Sequence, residues 1–490
     1  MFLFIFIALI FSICFYNFYW KRRNLPPGPI PWPILGNLPE IGANPPGYDT
    51  YLKWRQEYGP IFTYWLGEKP TVAIAEYSLM NETIVKDGDS YADRDFFNEW
   101  LYLIRGPDGL ATMGGETWKE HRKFFMQVMR NLGVGRNVLE EKIEAEFTAV
   151  CANIDRMVES GDGEDVDIGP EFDVCVGSMI NSLLFGYSFN GARSDEFTHL
   201  RAILNDYMTL VGKPSSQFLM TFPHLVKDLP YFSGIFKTFK LFIAKTYKFF
   251  DQQIEKHKSM AQKEVHEEST HMDYVSAFMQ EMKLRDGQDC FDMPTLYSHL
   301  LDFWIAGQET TTNTLNWGVI HLLYNPDVQT KLHAELDSVI QTNRFIHLAD
   351  RPRLPYATAV VNEIQRIANV LPQNLARCNT KDVVVNGHFL PKGTSIMPLM
   401  SCVLYDEKIF PESRKFKPER FLTADEKSKR VCVGESLAKT EIFLILINLF
   451  HQYKLSMPIQ APPPSMQQNF GLSVVPLPYK CQIKRRTFQQ

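Results

Sequence analysis

The sequence predicts a mainly α (α+β) fold in which a large helical domain carries small peripheral β-sheets. Apolar residues recur with helical periodicity in seven segments, whereas strand-like patterns are few and short. The helical segments are residues 118–130, 138–160, 172–184, 236–265, 294–324, 326–342 and 355–370. The strand-like stretches are residues 61–65, 71–75, 383–385 and 393–398. Hydrophobic residues make up 45% of the 490 residues, which is enough for a large buried core.

Charge and cysteine usage narrow the class of protein. The net charge of -5 gives no general attraction to nucleic acid, so no nucleic-acid partner is expected. The 8 cysteines show no paired spacing, which argues against a disulfide framework or a zinc module and agrees with a reducing compartment. Because no linker, low-complexity block or repeat interrupts residues 38–490, this stretch is predicted to be a single domain.

The N-terminus predicts a membrane anchor over residues 1–20. Its run from Phe2 to Trp20 is uncharged and apolar, and as a helix it is long enough to cross a hydrocarbon core of about 30 Å. The basic cluster of residues 21–23 follows the run, which predicts a single pass with the body in the cytosol, whereas a cleaved signal peptide would normally begin with basic residues. Residues 21–37 are predicted to be a basic stop and a proline-rich, semi-rigid hinge; a ligand for a proline-recognition module is the alternative.

Cys432 is the strongest single candidate for chemistry. It lies directly before an apolar helical segment, where unpaired N–H groups and the helix dipole favour a thiolate over a thiol. A thiolate is the soft, anionic ligand that a haem iron requires, and the small Gly434 would let the backbone approach a flat macrocycle. A buried, unreactive cysteine is the alternative for this residue taken alone.

A polar interruption in the segment 294–324 is the second candidate. Ala306 and Gly307 are expected to leave a shallow groove, and the Thr310 hydroxyl can bond back to the carbonyl of Ala306. Glu309 then adds an acid beside this hydroxyl, and such a pair can relay protons. Helix packing through small residues is the alternative.

Two further groups of residues are predicted to act together. Glu363 and Arg366 share one helical face, and with Arg420 they could form a buried cluster that locks the Phe416-Lys417-Pro418-Glu419-Arg420-Phe421 turn to the helix. Trp118 and Arg122 place two donors on one face, which suits an anionic group; an ordinary amphipathic helix is the alternative.

The ordered set of motifs resembles the cytochrome P450 family in its microsomal animal type, the xenobiotic- and lipid-metabolising branch. The resemblance extends over almost the whole chain. The matching motifs are the anchor, the proline-rich hinge, Trp118-x-x-x-Arg122, Ala306-Gly307-x-Glu309-Thr310, Glu363-x-x-Arg366, Phe416-x-Pro418-Glu419-Arg420-Phe421 and Arg430-x-Cys432-x-Gly434. It implies the cytochrome P450 fold, with residues 38–490 as the haem domain.

The resemblance also implies a cofactor and roles for residues. The cofactor is haem b (iron protoporphyrin IX), with the Cys432 thiolate as the axial iron ligand. The other implied cofactor-binding residues are Trp118, Arg122, Arg377, Ala306 and Gly434. Thr310 and Glu309 are the implied catalytic residues, and the implied structural cluster is Glu363, Arg366 and Arg420.

The implied reaction inserts one oxygen atom from O2 into a small apolar substrate, such as a fatty acid, a steroid or a xenobiotic. Electrons would come from NADPH through NADPH-cytochrome P450 reductase, with cytochrome b5 as a further candidate partner. The implied location is the endoplasmic reticulum membrane, with the catalytic domain in the cytosol. A basic set could dock an acidic partner, although a solvated face is an equal alternative. This set is Arg122, Lys123, Lys429, Arg430 and Lys439.

The segment before Cys432 departs from the family pattern. Where the family has a Phe and a Gly, this chain has Asp425 and Ser428, and the connection from Phe421 is short. A missing segment explains this better than point substitutions do, because both flanks are intact. An Asp beside the thiolate and the loss of the glycine predict weakened haem binding. A membrane-tethered haem or hydrophobic-ligand binding protein with little or no turnover is therefore the alternative function; a haem-thiolate isomerase is disfavoured by Glu309 and Thr310.

Overall fold

The computed structural model describes most of the chain in eleven stretches. They are residues 2–94, 96–106, 109–134, 137–159, 165–189, 194–263, 273–285, 290–371, 373–422, 434–470 and 473–488. Within them the fold is mainly helical with small sheets, so the predicted fold class is confirmed.

The helices follow the apolar periodicity of the sequence closely. The described α-helices are α1 (Phe2–Phe18), α2 (Leu38–Ala43), α3 (Tyr48–Tyr58), α4 (Tyr77–Met80), α5 (Phe96–Arg105), α6 (Gly115–Asn131), α7 (Asn137–Glu159), α8 (Gly169–Phe185), α9 (Ser194–Val211), α10 (Pro214–Thr221), α11 (Pro223–Val226), α12 (Pro230–Lys263), α13 (Tyr274–Leu284), α14 (Met293–Tyr324), α15 (Pro326–Val339), α16 (Pro355–Ala368), α17 (Met400–Leu404) and α18 (Glu435–Gln452). The seven helical segments predicted from periodicity correspond to α6, α7, α8, α12, α14, α15 and α16.

The central helix is α14, and its start is encoded locally. Asp292 caps it by accepting a hydrogen bond from the backbone N–H of Thr295 at 2.9 Å, and Pro294 occupies the first turn, where a missing N–H costs little. The helix packs against α8, α16 and α18, and most of its residues are buried. Since α18 is also buried on nearly all sides, the two helices form the middle of the core.

The strands form small sheets at the periphery. They are β1 (Ile61–Leu66), β2 (Lys69–Ile74), β3 (Arg377–Cys378), β4 (Val383–Val385), β5 (His388–Leu390), β6 (Ser395–Pro398), β7 (Tyr453–Ser456), β8 (Gln468–Phe470), β9 (Val474–Pro476) and β10 (Gln482–Arg485). One sheet has the order β1-β2-β6-β3, with β2 parallel to β6, and the other pairs are β4 with β5, β7 with β10 and β8 with β9. Asn386 and Gly387, which join β4 to β5, have φ values of 47° and 79°, as a two-residue hairpin turn requires.

The N-terminal helix stands apart from the core. The span Phe2–Arg22 covers 21 residues, and in the described part of the chain it is the one helical span long and apolar enough to cross a membrane. Only 6% of its most apolar window is buried against the rest of the protein. By length and composition it matches the predicted anchor.

Candidate active site

The polar interruption in α14 has the local geometry that its residue types suggest. Thr310 Oγ1 donates a hydrogen bond to the carbonyl oxygen of Ala306 at 2.7 Å, one turn earlier. Ala306 is exposed, although Trp304 and Gln308 on other faces of the same turn are buried. The helix therefore presents an open face at Ala306, with the Thr310 hydroxyl one turn away.

Gly307 was expected to line a groove, but it lies at the contact between α14 and α8. A Cβ at this position would lie 3.0 Å from Cδ1 of Ile180 on α8, which is tighter than an ordinary contact. Gly307 therefore allows α8 to pack closely on α14 and does not extend the groove at Ala306. For this residue the alternative of helix packing is correct.

Glu309 is buried and is bound by residues other than Thr310. Its carboxylate forms an ion pair with Arg201 of α9, which also pairs with Asp173 of α8 at 3.0 Å. Burial raises the pKa of Asp173, although Arg201 acts to lower it. Burial alone would lower the pKa of Arg201, but the carboxylates of Glu309 and Asp173 raise it. The Glu309 carboxylate and the Thr310 hydroxyl therefore belong to separate hydrogen-bond networks.

Three guanidinium groups lie near one another, from the residue at the start of β3, from the middle of α6 and from Arg94. We call Arg94, Arg122 and Arg377 the arginine triad. Burial, followed by the charges of Arg377 and Arg122, lowers the pKa of Arg94 to about 10. Burial and the charge of Arg122 also lower the pKa of Arg377. The three guanidinium groups are therefore close enough for their charges to repel one another.

Arg377 carries the clearest sign of a missing partner in this region. Its Nη1 donates to the carbonyl oxygen of Tyr91 at 3.2 Å, but its buried Nε meets no hydrogen-bond acceptor within the described residues. A buried donor without an acceptor is costly, and a ligand carboxylate would satisfy it. The two propionates of a haem fit this donor set.

Trp118 and Arg122 lie on one face of α6, as their spacing predicts. The Arg122 guanidinium is 5.3 Å from the centroid of the Trp118 ring, within the range of a cation–π contact. The Arg122 guanidinium is also close enough to Arg94 and Arg377 for its charge to lower the pKa values of both. Arg94 was not predicted from the sequence, because it stands between two aspartates in Asp93-Arg94-Asp95 and resembles an ordinary surface residue.

The predicted iron ligand, Cys432, lies outside the described residues. So do Asp425, Ser428, Lys429 and Arg430 of the segment before α18. Gly434 is described at the N-terminus of α18, and a Cβ placed there would meet none of the described atoms within 4 Å.

Glu363, Arg366 and Arg420 meet in a closed network, here called the Glu363 cluster. Arg366 Nε and Nη2 donate to Glu363 Oε2 and Oε1 at 2.6 and 2.9 Å, and Arg420 Nε donates to Oε1 at 3.1 Å. The backbone N–H of Lys417 also donates to Oε1, at 2.8 Å. The structure thus brings together α16 and the turn at residues 416–421.

The predicted docking surface is only partly described. Lys123 is exposed, and Lys439 forms an ion pair with Glu435 at 3.0 Å on the surface of α18. Arg122 belongs to the arginine triad and lies against Trp118. Docking of an acidic partner by this set remains a prediction.

Known proteins of one family are similar to this chain over most of its length. A family model described as cytochrome P450 matches residues 26–483. The chain is 32% identical to cytochrome P450 2C5 of Oryctolagus cuniculus over 453 residues, covering 89% of this chain and 90% of that protein. It is 31% identical to cytochrome P450 2H2 of Gallus gallus over 466 residues, covering 92% of each. Cytochrome P450 2D3 of Rattus norvegicus is 30% identical over 484 residues, covering 95% of this chain and 94% of that protein.

Proposed function

This chain belongs to the cytochrome P450 family, and from that premise we propose that it inserts one oxygen atom from O2 into an apolar small molecule. Enzymes of this family are haem b-dependent monooxygenases. The proposed substrate is a fatty acid, a steroid or a xenobiotic. We further propose that NADPH supplies two electrons through NADPH-cytochrome P450 reductase, because the sequence has no flavin or nicotinamide motif of its own.

The observation that carries the proposal is the arginine triad with the buried Nε of Arg377. The buried Nε of Arg377 has no acceptor among the described residues, and a haem propionate could supply one. In the proposal, Arg94, Arg377, Arg122 and Trp118 would hold the two propionates, and the Cys432 thiolate would bind the iron. Ala306 and Gly434 leave room for the flat ring.

When bound, haem supplies the activation of O2 and the transfer of oxygen to the substrate. The chain's own residues supply protons and exclude water. Thr310 Oγ1 holds a proton that it now shares with the carbonyl of Ala306, and it can redirect this donor into the open space beside Ala306. The exposed face of α14 at Ala306 is thus the side on which substrate and O2 would meet.

Glu309 is proposed to resupply the proton of Thr310. Its carboxylate is held by Arg201 in the present conformation, so delivery requires that the carboxylate take up a proton and release the guanidinium. Asp173, which shares Arg201 and is less buried than Glu309, provides a route from solvent. The relay therefore depends on a rotamer change of Glu309.

The location and the further partners are proposed on the same premise. The apolar span Phe2–Arg22 would anchor the chain in the endoplasmic reticulum membrane with a single pass, leaving the catalytic domain in the cytosol. Cytochrome b5 is a further candidate electron donor, and Lys123 and Lys439 are exposed cations that an acidic partner could contact. These proposals rest on charge and hydropathy.

A second function is favoured by one specific observation, the short connection between Phe421 and Cys432. With Asp425 and Ser428 in place of a Phe and a Gly, the protein would bind haem or another hydrophobic ligand without turnover. Sequencing the transcript across residues 421–430 tests the origin of this connection. Recovery of an inserted stretch with Phe-x-x-Gly would show that a longer, competent form exists.

Turnover in 18O2 tests the proposed function. The full chain, loaded with haem and mixed with reductase and NADPH, is expected to place one 18O atom in a product from a panel of fatty acids, steroids and xenobiotics. Thr310→Ala is expected to divert at least half of the NADPH oxidation to hydrogen peroxide, because the local proton donor is lost, whereas Thr310→Ser keeps the donor and the coupling. If the chain binds haem without NADPH but forms no labelled product, the result would instead support the second function, a haem-binding protein without turnover.

A further inference from the structure

A thiol and an imidazole meet beside the start of α14. The Sγ atom of Cys290, three residues before this helix, lies 3.0 Å from Nε2 of His121 on α6. His121 is completely buried, whereas Cys290 is partly exposed. The arrangement therefore joins a buried, titratable ring to a sulfur that small molecules can reach from solvent.

Aromatic packing holds the His121 ring in place. The ring stacks on Phe291 with the centroids 4.1 Å apart and an interplanar angle of 18°. The ring of His299 on α14 meets it edge to face at 5.0 Å, and Phe278 lies 6.3 Å away. Because these neighbours are buried, the imidazole cannot turn away without unpacking them, and its Nε2 stays directed at the sulfur.

Both neutral tautomers of His121 assist the sulfur. The other ring nitrogen, Nδ1, is buried and has no hydrogen-bond partner within the described residues. If Nδ1 carries the proton, Nε2 is an acceptor that can take the proton of the thiol. If Nδ1 is bare, the Nε2–H group donates to the sulfur and stabilises a thiolate. In either case the sulfur of Cys290 is a better nucleophile than that of an isolated thiol.

The surroundings of the His121 ring keep it neutral near pH 7. Burial lowers the pKa of His121 to about 4. Glu120 on α6 and Asp292 before α14 act to raise this pKa, and Arg285 at the end of α13 acts to lower it. His299 adds no charge at this pH, because burial lowers its pKa to about 3. The imidazole of His121 is thus unprotonated, and available as a base, between pH 6 and pH 8.

Four other described cysteines are poorly suited to react with an electrophile. Burial raises the pKa of the thiol to about 11 in Cys151 and to about 12 in Cys402 and Cys481. It also raises the pKa of the fully buried Cys175 well above its ordinary value. Since the thiolate is the nucleophile, a raised pKa and poor access both slow the reaction. Cys290, by contrast, is partly exposed and lies against an imidazole.

We propose that Cys290 is a site of covalent modification by small α,β-unsaturated carbonyl compounds, with His121 as its base. The sulfur attacks the β-carbon and forms a C–S bond, while the electron pair of the C=C bond moves toward the carbonyl oxygen to give an enolate. His121 takes the thiol proton and returns it to the α-carbon, so the addition needs no oxidant, reductant or leaving group. The electrophile must be small, because the buried Phe278 and Phe291 close the inner side of the site.

Labelling with N-ethylmaleimide, an α,β-unsaturated carbonyl compound, tests the site. The full chain, loaded with haem, is treated with less than one equivalent, and mass spectrometry measures the adduct on each cysteine-containing peptide. We expect Cys290 to be labelled about tenfold faster than Cys378, a partly exposed cysteine on β3. Labelling of the buried Cys175 monitors unfolding. The peptide with Cys432 is measured separately, so the result does not depend on the proposed oxygenase function.

The dependence on pH distinguishes a base from a residue that only packs. In the wild type, the labelling rate of Cys290 should be nearly constant between pH 6 and pH 8, because His121 supplies the base throughout. In His121→Gln, the rate should follow the thiolate fraction and rise about tenfold per pH unit. At pH 7 this variant should react about tenfold more slowly than the wild type. Lys119→Gln, an exposed change on the same helix, is the matched control and should keep the wild-type profile.

Two results would overturn the proposal. Labelling of Cys290 no faster than that of Cys378 would show that the contact with His121 does not activate the thiol. A tenfold rise per pH unit in the wild type itself would show that no base acts on this sulfur. If labelling of Cys175 reveals that His121→Gln is unfolded, the profile of the wild type decides between the two readings.

Discussion

The guanidinium charges in two arginine-rich regions of this molecule have different surroundings. In the Glu363 cluster, the fully buried carboxylate is bound by two guanidiniums, and Arg366 Nη1 also donates to the carbonyls of Leu404 and Ser413 at 2.8 and 2.7 Å. In the arginine triad, burial and mutual repulsion lower the pKa values of Arg94 and Arg377. The Glu363 cluster therefore has its countercharge within the described polypeptide, whereas the buried Nε of Arg377 has no acceptor among the described residues.

The comparison distinguishes residues that stabilise the fold from residues that bind a ligand. A completed buried network contributes only to the fold, because breaking it leaves a charge that nothing can solvate. A buried donor without an acceptor is costly to the ligand-free protein, and an anionic ligand at Arg377 Nε would remove that cost. Substitutions in the two regions should therefore change different measured quantities.

The largest change in stability is expected when the Glu363 cluster loses its carboxylate. Glu363→Gln leaves Arg366 and Arg420 without their carboxylate, which should lower the free energy of unfolding by about 3–5 kcal/mol. Urea unfolding followed by circular dichroism measures the change. Glu412→Gln, which removes an exposed partner of Lys415 and Lys417, is the control and should have no measurable effect. A stable Glu363→Gln protein would contradict the structural role of the cluster.

The second prediction extends the comparison to a buried acid on α18. Burial raises the pKa of Glu441 to about 8, and its Oε1 has no hydrogen-bond partner within the described residues. The folded protein thus keeps a proton that the unfolded chain releases near pH 4.3. Stability should be highest below that pH and should fall by about 1.4 kcal/mol per pH unit as the pH rises toward 8.

Unfolding measured at pH 5.5 and 7.5 tests this slope. Between these two pH values the free energy of unfolding of the wild type should fall by about 3 kcal/mol because of Glu441. Glu441→Gln should remove this fall, because the amide does not titrate. An unchanged slope in this variant would show that Glu441 has a partner when folded.

The smallest effects are expected in the arginine triad. One substitution there should lower the affinity for haem without lowering the stability of the haem-free protein. Arg377→Gln should weaken haem binding about tenfold, since one charged donor contributes about 1.5 kcal/mol. The same substitution should leave the haem-free protein equally or more stable, because repulsion from Arg122 is relieved. Haem titration and thermal unfolding of the haem-free protein measure the two quantities, and the exposed Lys123→Gln is the control. Loss of both stability and affinity would reassign the triad to a structural role.

The sequence predicted the parts of the fold that depend on local pattern. Apolar periodicity located α14 and α16, and the spacing of Thr310 and Ala306 indicated their hydrogen bond. Long-range pairings left no such signal. Glu309 and Arg201 are 108 residues apart, and nothing in either neighbourhood indicates that they meet. The pairing of β7 with β10 was missed for the same reason.

The candidate site shows the same division. The members of the Glu363 cluster were predicted from helical spacing and a proline-stopped turn, and the structure brings them together. Arg94 was missed because only the path of the chain after β2 brings it to Arg377. Gly307 was assigned to the groove because the sequence does not reveal which face of α14 meets Ile180.

The carbon monoxide difference spectrum of the reduced, haem-loaded full chain tests the central claim most directly. We expect a red-shifted Soret band of the thiolate type, which is lost in Cys432→His and kept in Cys290→Ser. Such a result would show that this chain assembles a haem-thiolate centre on Cys432 despite the short connection from Phe421. Absence of a thiolate-type band at saturating haem would contradict it.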